Sequence, residues 1–262
     1  MPTPVRERTL AGLGTGLAAN GTVTIVSLNL HCGLSAGGRP YNVVKALTGL
    51  DADIIAVQEA WWPAAEVDPV ATAAQALGAR LIRIELMAGV SLAELNIASR
   101  SDRGNWGIAV LSRLPVTSHA RLSLGQVAGD EVSRAALICS VTTPIGWPLR
   151  LVCTHLSPRL TSPAQLYQLT QYLARTPAPT VIAGDLNMPR LATWLAGGYA
   201  PTVRGRTFPS DRPLVQLDHL LASPGLTCLD AAVLPAVGSD HLPVVARFSR
   251  TARLAAMAEL PV

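Results

Sequence analysis

What constrains this chain most is a repeated local pattern: short apolar runs that each stop on a residue able to do chemistry. Val23-Thr24-Ile25-Val26-Ser27-Leu28 gives way to Asn29, Ile54-Ile55-Ala56-Val57 to Gln58-Glu59, Leu151-Val152-Cys153-Thr154 to His155, and Val181-Ile182-Ala183 to Gly184-Asp185-Leu186-Asn187. Asp218 sits inside the run Val215-Gln216-Leu217-Asp218-His219-Leu220-Leu221, and Asp240-His241 immediately precede Leu242-Pro243-Val244-Val245. Runs this short, bounded by turn residues and rich in β-branched side chains, read as buried strands. Strands stacked in one layered core deliver their ends to a common rim, where residues far apart in sequence become neighbours. Taken singly, each polar residue has an ordinary explanation: a turn after a strand, a helix cap at Asp240, a hydrogen-bonded core histidine at His155. Asp218 is harder to explain that way, because a buried carboxylate needs a partner.

The pattern predicts strands over 23–30, 53–57, 81–87, 107–111, 132–141, 149–154, 180–183, 215–221 and 244–248, and helices over 41–50, 67–77 and 162–173. Val43, Val44, Leu47 and Leu50 recur at helical spacing, Gly78 ends the second helix, and Ser162-Pro163 offers a cap and a first-turn proline to the third. Residues 88–105 carry the weakest pattern and read as a long loop or a loop plus hairpin. Many strands with few helices predict a layered α/β or α+β sandwich. Residues 1–20 read as a flexible tail, 21–250 as one domain, and 251–262 as a tail or short helix. Arg6 and Arg8 ahead of a short, glycine-rich apolar stretch leave an export signal as the alternative for the first twenty residues.

Composition narrows the classes. Of 262 residues 49% are hydrophobic and 15% charged, enough for one sizeable core and unlike a disordered chain. No apolar run approaches the roughly 18–20 residues of a membrane span, so no integral membrane contact is expected. Cys32, Cys139, Cys153 and Cys228 are scattered, without disulfide-scaffold or metal-type spacing, which points to a reduced, cytoplasmic setting. The net charge is +4, with twenty arginines and Lys45 the only lysine. That mild excess fits an anionic substrate but falls short of the basic stripe of a dedicated nucleic-acid binder.

Chemistry follows from the combination. Glu59, Asp185, Asp218 and Asp240 gathered at one rim would repel strongly unless a cation or protonated histidines offset them. The donors are carboxylate and amide oxygens with no cysteine cluster, which favours magnesium, with manganese as a substitute, over zinc. His155 and His241 then serve as acid, base or phosphate donors. Other arrangements fail on spacing: Ser239, Asp240 and His241 are consecutive and cannot form a triad, no Gly-Xaa-Ser-Xaa-Gly elbow is present, and the glycines at 12, 14 and 16 lack the lysine of a phosphate loop.

The series Ser27-Leu28-Asn29, Val57-Gln58-Glu59, Gly107-Ile108-Ala109-Val110-Leu111-Ser112-Arg113, Thr154-His155-Leu156, Gly184-Asp185-Leu186-Asn187, Leu217-Asp218-His219 and Ser239-Asp240-His241 resembles, in order and rough spacing, the endonuclease/exonuclease/phosphatase superfamily. The resemblance runs from about residue 22 to 248. It implies a four-layer α/β/β/α sandwich with two central, mainly antiparallel sheets and a divalent-metal phosphoesterase site at one rim. By the same resemblance Glu59 is the principal metal ligand, with Asn29 beside it as ligand or support and Asp240 as a second metal-side acid. Asp185 and Asn187 position the attacking water and the phosphoryl group, His155 donates to a phosphate oxygen, Asp218 orients His241, and Arg134 contacts the phosphate.

Three features depart from the family pattern. His31-Cys32-Gly33 follows Asn29, Trp61-Trp62 follows closely on Glu59, and only Glu94 or Asp102 is at hand in the 88–105 segment to pair with His155. Adjacent tryptophans suit base stacking, a lipid interface or loop packing. The leading expectation is a monomeric nuclease on DNA or RNA, supported by Arg100, Arg103, Arg159, Arg190, Arg204, Arg206 and Arg212. The alternatives are a phosphatase or phosphodiesterase of a lipid, inositol or other small phosphate ester, and a non-catalytic binding module on the same scaffold.

Overall fold

A computed structural model describes residues 21–99, 101–127, 130–158 and 161–251. The expected tails at 1–20 and 251–262 lie outside the described residues, Thr251 excepted, as do Arg100 and Arg159. The chain runs β1 (Thr22–Asn29), α1 (Val43–Thr48), β2 (Ile54–Pro63), α2 (Pro69–Ala76), β3 (Arg80–Ser91), β4 (Arg103–Ser112), β5 (Val116–Gly125), β6 (Arg134–Thr142), β7 (Pro148–His155), α3 (Ser162–Ala174), β8 (Thr180–Asp185), β9 (Ala200–Pro201), β10 (Asp218–Ala222), β11 (Leu226–Val233) and β12 (Val244–Arg250). Two six-stranded sheets form, ordered β11-β12-β1-β2-β4-β3 and β5-β6-β7-β8-β10-β9. Each sheet holds one parallel pair, β1 with β2 and β7 with β8, and is otherwise antiparallel.

The layering follows from the alternation of side chains along a strand. Ile25, Ile54, Ala56, Ile108 and Val110 from the first sheet meet Leu151, Cys153, Val181, Ala183 and Leu220 from the second in the core between them. Their neighbours Val26, Leu28, Ile55, Val57, Ala109 and Leu111 turn outward against α1 and α2. On the other side Val152, Ile182 and Leu221 pack beneath α3. Both faces of the central strands are therefore dry, which is why those strands are continuously apolar rather than alternating. Each fully buried Ile or Leu contributes about 1.5–3 kcal/mol.

Residues 88–105 form a loop plus hairpin, the second of the two forms expected: β3 runs on to Ser91, β4 begins at Arg103, and the described residues between them are loop. Two local expectations change. Trp61 and Trp62 sit in β2, 8% and 6% exposed, as core rather than as a stacking or interfacial platform. The cap position of α3 is Thr161, and Ser162 instead directs its hydroxyl to the Asn187 carbonyl, 3.4 Å away. Cys32, Cys139 and Cys153 are buried as small hydrophobes and Cys228 is half-buried. Among the described residues no helix is long and apolar enough to cross a membrane.

Candidate active site

Strand register assembles the site. In the second sheet His155 at the end of β7 lies opposite Asp185 at the end of β8, and Asp185 lies opposite Asp218 at the start of β10. In the first sheet Asn29 ends β1 opposite Gln58 of β2. Glu59 follows in a bulge between Val57 and Ala60, with φ 48°. Such a bulge re-aims one side chain out of the ladder. The loop before β12 adds Asp240 and His241, and the Ser239 hydroxyl ties that loop to β1 by donating to the Asn29 carbonyl at 2.7 Å. Gly184 permits the tight pairing of β7 with β8: a Cβ there would stand 1.9 Å from the Thr154 carbonyl oxygen.

Glu59, His155, Asp185, Asn187, Asp240 and His241 line one open cavity of about 600 Å³, together with Arg134 and His31. Asp218 lies behind it, fully buried. The two sheets are joined across the rim by Asn29, whose amide donates to Glu59 Oε1 at 3.0 Å and to Asp185 Oδ2 at 3.1 Å. Its oxygen accepts from the His31 N–H at 2.9 Å, so Asn29 presents its donor, not its oxygen, to the carboxylates. This geometry fits support rather than ligation. Asp185 Oδ1 accepts the Asn187 N–H at 2.9 Å. Burial pushes the Asp185 carboxyl up to about 7, against the lowering influence of His241.

The two histidines differ in kind. His241 Nδ1 meets Asp218 Oδ2 at 2.8 Å, leaving Nε2 directed to Asp185 Oδ2 at 3.8 Å. Burial alone would lower its pKa; the Asp218 charge and hydrogen bond, then Asp185 and Asp240, outweigh that and raise it to about 10. His155 Nε2 faces the Asn187 amide at 3.2 Å, Asp185 Oδ2 at 3.7 Å and Glu59 Oε1 at 3.9 Å. Its pKa falls well below the usual value, through burial first and then the nearby Arg134 and His241. Accepting from Asn187 at Nε2 places the proton on Nδ1, which has no hydrogen-bond partner among the described residues. Neither Glu94 nor Asp102 takes the place of the missing acid: Glu94 accepts from Ser91 and Arg103, and Asp102 lines a different pocket. Instead the His155 ring packs on Trp106, with centroids 5.8 Å apart.

Trp106 also carries the Arg134 guanidinium, 5.5 Å above its ring centroid. Asp130 holds Arg134 through Nε at 2.8 Å and Nη2 at 3.4 Å, while the buried Nη1 has no partner among the described residues. Sequence reading does not reach Trp106 or Asp130; only the adjacency of Trp106 to the Gly107 motif hints at the first. His31 does line the cavity, its Nδ1 3.1 Å from the Leu34 carbonyl and 3.5 Å from Asp240 Oδ2. His219, next to Asp218, is structural: its Nε2 is 2.9 Å from the Met188 carbonyl.

Backbone strain is confined to this place. Five described residues other than glycine have positive φ: His31, Cys32, Glu59, Asn96 and Asn187. Four of them line the cavity and the fifth adjoins His31. Each costs of order 1–3 kcal/mol, less for asparagine, and such residues cluster where function holds them.

A protein-family model described as the endonuclease/exonuclease/phosphatase family matches residues 26–241. Among solved structures, one similar fold is an endonuclease/exonuclease/phosphatase from Beutenbergia cavernae, 18% identical, covering 88% of this chain and 72% of that one, TM-score 0.69. A mannosyl-6-phosphatase from Bacteroides thetaiotaomicron is 15% identical, covering 86% of this chain and 99% of that one, TM-score 0.66. The human Nocturnin catalytic domain with bound sulfate is 17% identical, covering 88% and 94%, TM-score 0.65. No curated protein sequence matches the chain.

Proposed function

The chain belongs to the endonuclease/exonuclease/phosphatase family of phosphoester hydrolases, and from that premise we propose that this cavity hydrolyses a phosphate ester with a divalent cation, magnesium or manganese in its place. One observation carries the reading. Glu59, Asp185 and Asp240 converge on the cavity, and among the described residues the basic side chains within ion-pair distance of them are histidines alone, with no lysine or arginine paired to them. Convergent hard oxygen donors without a basic partner suit such a cation. Glu59, braced by Asn29, and Asp240 would hold it. When bound, the ion would offset phosphoryl charge and the charge on the leaving oxygen.

The chain's own groups do the rest. Asp185, fixed by the Asn187 N–H and the Asn29 amide, holds the attacking water and takes its proton. His241, locked through Nδ1 on Asp218, offers its Nε2 proton to a phosphoryl oxygen. When the phosphoryl group enters, the neutral His155 ring takes its Nε2–H tautomer and donates to a second phosphoryl oxygen beside the Asn187 amide. The unpartnered Nη1 of Arg134 anchors the phosphate. Turnover of bis-p-nitrophenyl phosphate tests this. It should require magnesium and fall at least about a hundred-fold in Glu59→Ala. Turnover that survives chelation, or is undiminished in that variant, refutes the reading.

On substrate, the nuclease reading keeps one specific support. Arg204, Arg206 and Arg212 are exposed on the segment that brings Phe208 into the cavity. Of the other arginines named for that reading, Arg103 is taken by Glu94 and Arg190 by the Val203 and Pro201 carbonyls. DNA or RNA lying over that segment is the second reading. Binding that weakens steeply with salt would mark it.

A further inference from the structure

The cavity has a second half that the hydrolytic reading leaves unused. A fourth apolar cluster lies apart from the three that hold the layers together. Five of its members, Met87, Leu95, Ile97, Trp106 and Val132, surface as lining of the catalytic cavity. They come from the β3–β4 hairpin and from the start of the segment entering β6. Met87, Leu95 and Ile97 stay only half-buried. Apolar surface left facing water in a cavity is recovered when an apolar ligand covers it.

Charge along this wall points the same way. Beyond the histidines and the three acids assigned to catalysis, the charged residues lining the cavity are Asp130, Glu131 and Arg134. Asp130 neutralises Arg134 through two hydrogen bonds, and Glu131 is exposed. One guanidinium nitrogen therefore remains for one phosphate, and among the described residues no other lysine or arginine lines the cavity to receive a second. Along this wall a second phosphate finds no cation among the described residues, whereas an uncharged hydrocarbon or aryl group meets a matching surface beside the phosphate anchor. Trp106 joins the two halves, since the same ring packs against Arg134 and His155.

We propose that this wall binds the alcohol portion of the substrate, so that the preferred substrates are phosphate esters of apolar alcohols carrying a single phosphate. This rests on the phosphoesterase reading above and adds the substrate class to it. Methyl-, butyl- and octylphosphonate, titrated calorimetrically into the full chain with magnesium, test it without requiring turnover. Affinity should rise along the series by about four-fold for each methylene fully buried, so butylphosphonate should bind some tens of times more tightly than methylphosphonate. Ile97→Asp and the milder Ile97→Ser should flatten that gradient. Equal affinity across the series, or binding by no member, overturns the proposal. So does an oligothymidylate that binds more tightly than octylphosphonate with steep salt dependence. Hydrolysis of bis-p-nitrophenyl phosphate by the same preparation reports separately on the parent reading. Turnover with a flat series sinks only the apolar wall; a rising series without turnover sinks only the hydrolysis.

Discussion

Gly184→Ala is the substitution that couples fold to site most directly. The added Cβ would lie 1.9 Å from the Thr154 carbonyl oxygen and 3.0 Å from its carbon, both backbone atoms that no rotamer can move. Ordinary carbon–oxygen contact begins near 3.3 Å, so β7 and β8 must part locally by about 1.4 Å from a normal spacing of about 4.8 Å. That opening falls one residue before the His155–Asp185 pair and the bond from the Leu156 N–H to the Asp185 carbonyl at 3.1 Å. Overpacking costs about 1–3 kcal/mol and a lost backbone hydrogen bond about 1 kcal/mol. The sum, about 3 kcal/mol, is a large part of a typical 5–15 kcal/mol stability. A displacement of about 1 Å between reacting groups costs on the order of a hundred-fold in rate. Urea unfolding followed by tryptophan fluorescence should show a midpoint lowered by about 1 M. Turnover under native conditions should fall by the larger factor. Gly37→Ala, where an added Cβ meets nothing within 4 Å, serves as control and should change neither. A Gly184→Ala protein with wild-type midpoint and wild-type turnover would refute the claim that this strand contact sets the site.

Magnesium should stabilise the wild-type chain by RT ln(1 + [Mg]/Kd), about 2.7 kcal/mol at a hundred times Kd, and so raise its melting temperature by several degrees. Glu59→Gln should lose that increment while its metal-free melting temperature does not drop, because a carboxylate near Asp185 has been removed; an unchanged increment tells against Glu59 as the ligand. Asp130 offers a pH test: burial raises its carboxyl, but Arg134, Ser157 and the Val132 N–H outweigh that and hold it below the usual carboxylate range. Its stabilising contribution is therefore present above the unfolded value near 3.9 and lost as pH falls through the lower folded value. The stability gap between wild type and Asp130→Asn, from urea titrations, should be constant above about pH 5 and shrink below about pH 4; a gap that widens on acidification is the contrary result.

The layers, and the gathering of most of the candidate residues at one cavity, were legible because both rest on runs of sequence. Dry strands such as Ile54-Ile55-Ala56-Val57 are apolar on both faces, and their polar terminators mark where the layer ends. What escaped depends on partners. Residues 116–125 and 226–233 form β5 and β11, an edge strand in each sheet, and their half-wet faces carry polar residues that break the apolar pattern. Residues 88–105 lack a pattern because they join the half-exposed, irregularly paired end of β3, with a shift between Met87 and Val90, through a loop to the start of β4. Trp106 looks like any core aromatic in sequence; its role comes from the Arg134 and His155 side chains brought to its faces from β6 and β7.

The same division explains where the molecule stores strain. The sheets are held by several dry clusters, and near the site their pairing needs a residue without a Cβ at Gly184 and at Gly107, where an added Cβ would stand 2.2 Å from the Ile84 carbonyl oxygen. At the rim the chain leaves that regular frame, and there His31, Glu59, Asn96 and Asn187 adopt left-handed backbone conformations. An unstrained Glu59 would continue the β2 ladder and point its carboxylate along the pleat, toward core or helix layer, where an unpaired charge is far more costly than the strain. The left-handed turn therefore follows from putting a carboxylate at the end of a strand buried on both faces. By the same logic Asn187 needs its positive φ to set its backbone N–H on Asp185 and its amide on His155 at once. Core burial supplies the stability against which these conformations are held, so the site's precision and the thickness of the sandwich are one physical property.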